Sequence, residues 1–95
     1  MNVGNSIYKI PDGKLIKIEL HYDNNAIDQV KITGDFFAYP ESSIEGMEKM
    51  LAGLELNEEQ ITQKIDDIIK IREFELFGLN PAGIARAIMM CVENS

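Results

Sequence analysis

Ile32-Thr33-Gly34-Asp35-Phe36-Phe37-Ala38-Tyr39-Pro40 is where a strand pattern gives way to a helical one. Upstream, Val30, Ile32 and Gly34 alternate with Lys31 and Thr33, the period of a half-buried strand. Downstream, an apolar run with helical spacing opens behind Pro40, whose fixed φ suits the mouth of a helix and whose missing N–H costs nothing there. Gly34 permits a bulge or a close backbone approach, and Asp35 is a short acceptor for local amides. Phe36 and Phe37 are adjacent, and neighbours in an extended chain point to opposite sides. One of them therefore anchors the helix layer, and the other is left to meet something else. By themselves these residues specify a strand-to-helix corner with an aromatic plug.

Working back from the corner, Ala26 to Gly34 reads as a strand with Val30 and Ile32 inward. Asp23-Asn24-Asn25 has the composition of a hairpin turn. From Lys14 to Tyr22, Ile16, Ile18, Leu20 and Tyr22 share one face, with Lys17, Glu19 and His21 on the other. Pro11-Asp12-Gly13 supplies a turn, Pro fixing φ and Gly tolerating positive φ, and Ser6–Ile10 is a short alternating segment before it. Residues 1–5 are expected to be mobile. Three strands joined by short turns imply an antiparallel meander with one wet face.

Forward from the corner, the chain is helical. Ser42 with Glu45 has the form of a capping box, and Ile44, Met47, Met50, Leu51 and Leu54 fall on one stripe that Gly53 closes. Asn57 with Gln60 signals a second start, followed by Ile61, Ile65, Ile68 and Ile69. Phe74–Leu79 reads either as more of that helix or as an apolar connector. Asn80-Pro81 starts a third helix, Pro81 to Glu93, with Arg86 as its only interior charge. Ile84, Ala87, Ile88 and Cys91 form its main stripe. Ala85, Met89 and Val92 fall on another side that a small domain is expected to leave for a partner. The whole is one α+β domain over residues 1–95, a three-stranded antiparallel meander covered by about three helices.

Composition narrows the function. Of the net charge of −7, residues 36–95 carry −6, which would repel a phosphate backbone and so disfavours nucleic acid. No apolar run is long enough to span a bilayer, the start is not that of a secretory signal, and a single cysteine forms no internal disulfide, so a cytoplasmic setting is expected. His21 lies on the wet face of a strand and Cys91 on an apolar helix face, a poor basis for a nucleophile or metal pair. No glycine cluster follows a strand and opens a helix, so no phosphate-binding loop is present. Lys14, at the tip of the Pro11–Gly13 turn, is either solvated charge or a reach toward a phosphate. Of the adjacent pair Met89 and Met90, one faces away from whatever the other packs on.

Two blocks carry a family resemblance. Ile10-Pro11-Asp12-Gly13-Lys14-Leu15-Ile16-Lys17 resembles the vPGGKLi(r/k)v opening of the lipoate–protein ligase C-terminal, or accessory, domain, and Ile32–Glu41 resembles its ItGDFFlhPE block. Ile44, Glu45, Met50, Leu51, Gly53 and Leu54 are similar to the helix that follows. Asp12 replaces the first glycine, and Tyr39 stands where histidine is common. The resemblance implies a fold similar to iron–sulfur scaffold and sulfur-acceptor (SufE/NifU-like) domains. It also implies a non-catalytic accessory subunit that forms a heterodimer with a catalytic ligase chain. That complex would use ATP and lipoate to make lipoyl-adenylate and serve lipoyl-domain proteins, while this chain alone binds no cofactor. Lys14, Gly34, Asp35, Phe36, Phe37, Tyr39 and Met89 are then the candidates for touching the partner. A protein-binding module unrelated to lipoate, or an iron–sulfur or sulfur-transfer protein dependent on Cys91, are the alternatives.

Overall fold

The structure is a computed structural model describing residues 1–95. Its elements in order are β1 (Asn2–Lys9), β2 (Leu15–Asp23), β3 (Ala26–Gly34), β4 (Phe37–Tyr39), α1 (Ser43–Leu51), α2 (Glu58–Arg72), β5 (Glu75–Phe77) and α3 (Pro81–Glu93). β1, β2 and β3 form the expected antiparallel meander, in that spatial order. The β2–β3 turn has Asn24 and Asn25 both at positive φ, 50° and 63°, as a two-residue primed turn demands. A register shift opposite His21 and Tyr22 leaves Asp28 unpaired. Ile27 consequently joins Val30 and Ile32 in the core although strict alternation would turn it out.

Residues 2–5, expected to be mobile, are instead the first half of β1, with Asn2 opposite Tyr22. Their inward side chains are almost nothing: Gly4 and, next along that face, Ser6. The reason is α3, which lies directly against β1. A Cβ on Gly4 would collide with the carbonyl oxygen of Cys91, and Ser6 Oγ donates to the Ala87 carbonyl at 2.7 Å. An inward row without bulk carries little hydrophobic signal, so the strand is hidden from periodicity.

Nineteen buried residues form one core between the sheet and the helices. α1 packs on β3, and α3 packs on β1 and β2 with α2 beside it. α1 starts where a cap at Ser42 puts it, and not at Pro40. Its first residue is Ser43, Pro40 lies outside it behind a cis Tyr39–Pro40 bond, and Ser42 makes no side-chain capping bond, so the capping box does not form. The other two helix starts are as read: Asn57 Oδ1 accepts from Gln60 N at 3.0 Å and Asn80 Oδ1 from Gly83 N at 2.6 Å. α3 is also better covered than its composition led us to expect. Ala85 is fully buried, and Met89 and Val92 are half-buried against the core, because α3 packs on α2 as well as on the sheet.

The outer edge of β3 is sealed. Ile27 exchanges hydrogen bonds with Gly53 and Leu54, Leu56 N donates to Asn25 O, and the Glu48 carboxylate accepts from Ile32 N at 2.7 Å. α1 and the loop behind it thus supply what a missing fourth strand would.

Candidate partner interface

Phe74–Leu79 is neither more helix nor a plain connector. Glu73 takes a left-handed conformation (φ 56°), ends α2 and turns the chain into β5. β5 pairs antiparallel with β4 in a second, two-stranded sheet, Phe37 opposite Phe77, Ala38 opposite Leu76 and Tyr39 opposite Glu75. With two-residue alternation, Ala38 and Leu76 turn inward and are half-buried. Phe37, Tyr39, Phe77 and Glu75 form the outer row. Three of those four are aromatic, and they are 79%, 66% and 56% exposed, Phe37, Tyr39 and Phe77 respectively.

The ribbon is held from several directions. Phe36 is half-buried against the core, which resolves the corner: Phe36 is the anchor and Phe37 the free ring. At the far end Phe74 is also packed against the core and rests over α1, where a Cβ on Gly46 would stand 3.6 Å from its ring. The Pro11–Lys14 turn docks behind β5, with Lys14 N donating to Gly78 O at 2.8 Å. In that turn the positive φ falls on Asp12 (58°), not on Gly13. An Asp tolerates the left-handed region, which accounts for its standing in a glycine's place. Gly13 is needed for space, since a Cβ there would lie 2.6 Å from the Gly78 oxygen. Lys9 Nζ braces the same turn through the Gly13 and Ile10 carbonyls, at 2.6 and 3.1 Å.

Leu15 follows Lys14, and its carbonyl accepts from Asp35 N at 3.0 Å. Gly34 has φ 151°, and a Cβ on it would strike that same Leu15 oxygen. Lys14, Gly34, Asp35, Phe36, Phe37 and Tyr39 are therefore brought together at one end of the meander. Their roles differ. Gly34 shapes the corner through its backbone and Phe36 through its half-buried ring, and Lys14, Asp35, Phe37 and Tyr39, like Gly34, are exposed. Met89 belongs to α3 and is half-buried against the core. Phe77 is the residue that sequence reasoning missed. Its signal was the alternation of Glu75-Leu76-Phe77, three residues that are too few to distinguish a strand from a helix end.

The charge around the ribbon is mainly acidic. Asp35 and Glu41 flank β4 in the chain, Glu73 and Glu75 precede and enter β5, and all four are exposed. Lys14, packed against Gly78 just past β5, and Arg72, at the end of α2, are the basic neighbours. Elsewhere, the sheet separates the two groups that nucleophilic chemistry would need together. His21 pairs with Glu19 at 3.1 Å on the open face. Cys91 is fully buried under the other face, its Sγ 3.5 Å from Ser6 Oγ and from the Ala87 carbonyl, and burial pushes its thiol pKa up. No group of three or more His, Cys, Asp or Glu is placed to hold a metal ion, and no helix is long and apolar enough to cross a membrane.

Residues 8–88 match the family described as bacterial lipoate protein ligase C-terminus. The chain is 40% identical over 70 residues to lipoate-protein ligase A subunit 2 of Thermoplasma acidophilum, a stretch that is 74% of this chain and 66% of that relative. It is also similar to a chain in the solved archaeal lipoylation system of Thermoplasma acidophilum, a bipartite lipoate protein ligase and its E2 lipoyl domain. There the TM-score is 0.72 at 33% identity, with 93% of each chain covered.

Proposed function

Because this chain belongs to the lipoate–protein ligase C-terminal domain family, we propose that it is the non-catalytic accessory subunit of a two-chain lipoate–protein ligase. It binds a catalytic ligase chain as a heterodimer and is needed for the half-reaction in which lipoate and ATP give lipoyl-adenylate. Transfer of the lipoyl group to a lysine of a lipoyl domain is then the catalytic chain's work. ATP and lipoate are substrates of the complex, the lipoyl-domain protein an indirect partner, and the cytoplasm the compartment where all of them meet.

The observation that carries this reading is the 40% identity to a chain named as subunit 2 of such a ligase. The geometry supports it by what it keeps apart and what it presents. His21 and Cys91 lie on opposite faces of the sheet, while an aromatic ribbon faces outward. A buried thiol whose pKa burial raises is a poor nucleophile, which weighs against the sulfur-transfer alternative.

An accessory chain promotes adenylation by binding one conformation of its partner more tightly than another. A difference of ~1–3 kcal/mol is typical of such coupling. The test is lipoyl-adenylate formation from lipoate and ATP by the catalytic chain, this chain, and both together. Adenylate is expected only with both. Formation by this chain alone, or equal formation by the catalytic chain without it, overturns the proposal.

A further inference from the structure

We propose that the outer face of the β4–β5 ribbon, Phe37 and Phe77 with Tyr39 beside them, is the surface that the catalytic ligase chain covers. The catalytic chain meets it with an apolar socket rimmed by lysine or arginine. This inference rests on the accessory-subunit reading and adds the surface and its chemistry.

The alternation of the ribbon leaves its outer row free to be polar at no cost to the fold, since Ala38, Leu76, Phe36 and Phe74 supply the inward contacts. Instead, three of its four residues are aromatic, with Phe37 and Phe77 directly opposite each other. Adjacent exposed rings on one face make a contiguous apolar patch, unlike Ile71 on α2 or Val3 and Ile7 on the open sheet face, where Ile7 stands among Asn5, Lys17 and Lys31. The rings are also pre-positioned. The Phe36 and Phe74 anchors and the Lys14–Gly78 hydrogen bond fix the backbone that carries them, so little freedom is left to lose on docking.

Charge selects the occupant. Asp35 and Glu41 flank β4 in the chain and Glu73 and Glu75 precede and enter β5, four exposed carboxylates against the two basic neighbours Lys14 and Arg72, on a chain of net charge −7. A second copy would bring carboxylates against carboxylates. A basic-rimmed protein face gains both apolar burial and complementary charge, which also speeds encounter.

Titration calorimetry of the full chain against its catalytic ligase chain tests this, with Phe37→Ala, Phe77→Ala, Glu75→Lys and, as an equally exposed control off the ribbon, Ile7→Ala. Circular dichroism melts accompany each variant. Each phenylalanine change is expected to weaken binding about thirtyfold or more, the scale of an interface anchor, with melting unchanged. Ile7→Ala should bind as the unmodified chain does. Glu75→Lys should bind about tenfold more weakly and with a flatter salt dependence, and it decides the matter should a phenylalanine variant fail to fold. If the unmodified chain binds and every ribbon variant binds equally well, the surface assignment is overturned while the accessory reading stands. If the unmodified chain does not bind, the accessory reading itself falls, and this inference with it. Sedimentation of the chain alone as a dimer that Phe77→Ala dissociates would make a second copy the occupant and overturn the assignment to the ligase chain.

Discussion

At the scale of single residues, two adjacent phenylalanines have opposite fates. Phe36 fills space between the corner and the core, and Phe37 projects 79% exposed. Phe36→Ala should therefore cost about 2–3 kcal/mol of folding stability, somewhat under the figure for a fully buried ring, whereas Phe37→Ala should stay within about 0.5 kcal/mol. Urea unfolding of the two variants side by side checks the difference. Cys91 makes a second residue-level case. Its raised pKa means that the folded state holds the thiol proton more tightly than the unfolded chain does. Stability from this group is thus fully present below the ordinary thiol pKa of about 8.5 and is lost as pH rises above it. Urea midpoints at pH 7 and above pH 9 should fall more steeply for the unmodified protein than for Cys91→Ala. The reverse order would mean that the thiol is not held in a dry site.

At the scale of elements, α1 acts on β3 through one carboxylate. Glu48 accepts from Ile32 N, a backbone donor that no fourth strand is there to satisfy. Glu48→Ala should destabilise the domain by about 1–3 kcal/mol and accelerate hydrogen exchange at the Ile32 amide, while Glu48→Gln, which keeps an acceptor, should cost less. Exchange at Ile32 unchanged in Glu48→Ala would show that water satisfies the amide equally well. Element starts were legible where a short polar side chain reaches a helix amide, as at Asn57 and Asn80. At Ser42 the same residue type is present without the bond, and α1 begins with a plain turn in which Ser43 N donates to Pro40 O. β5 was illegible for another reason. Its partner β4 is distant in the chain, 40 positions between Phe37 and Phe77 and 38 between Ala38 and Leu76, so no local pattern could announce the pairing.

At the scale of the whole molecule, the ribbon and the meander share one core. Phe36 and Phe74 reach into it from β4 and β5, and Lys14 N ties the first turn to Gly78. The domain should therefore unfold as a unit. Far-ultraviolet circular dichroism, which reports the helices, and tyrosine fluorescence, to which Tyr39 on the ribbon contributes, should give superimposable denaturation curves. An earlier tyrosine transition, abolished by Tyr39→Phe, would show the ribbon melting apart from the rest.

The alternation in β2 and β3, the apolar stripes of α1 and α2, and the turn residues Asn24 and Asn25 were all determined locally. Each depends on a side-chain period of two or 3.6, or on a backbone angle that few residues accept, and such constraints are written in neighbouring positions. The tertiary structure alone decided that Gly4 and Ser6 are the inner face of a strand, because the backbone of α3 takes the space their side chains would fill. It alone decided that α3, apolar on several sides, is covered by its own domain, through contacts with β1, β2 and α2. And it alone placed Phe77 beside Phe37, since a strand pairing between distant segments is settled by which edges the packed core leaves facing each other.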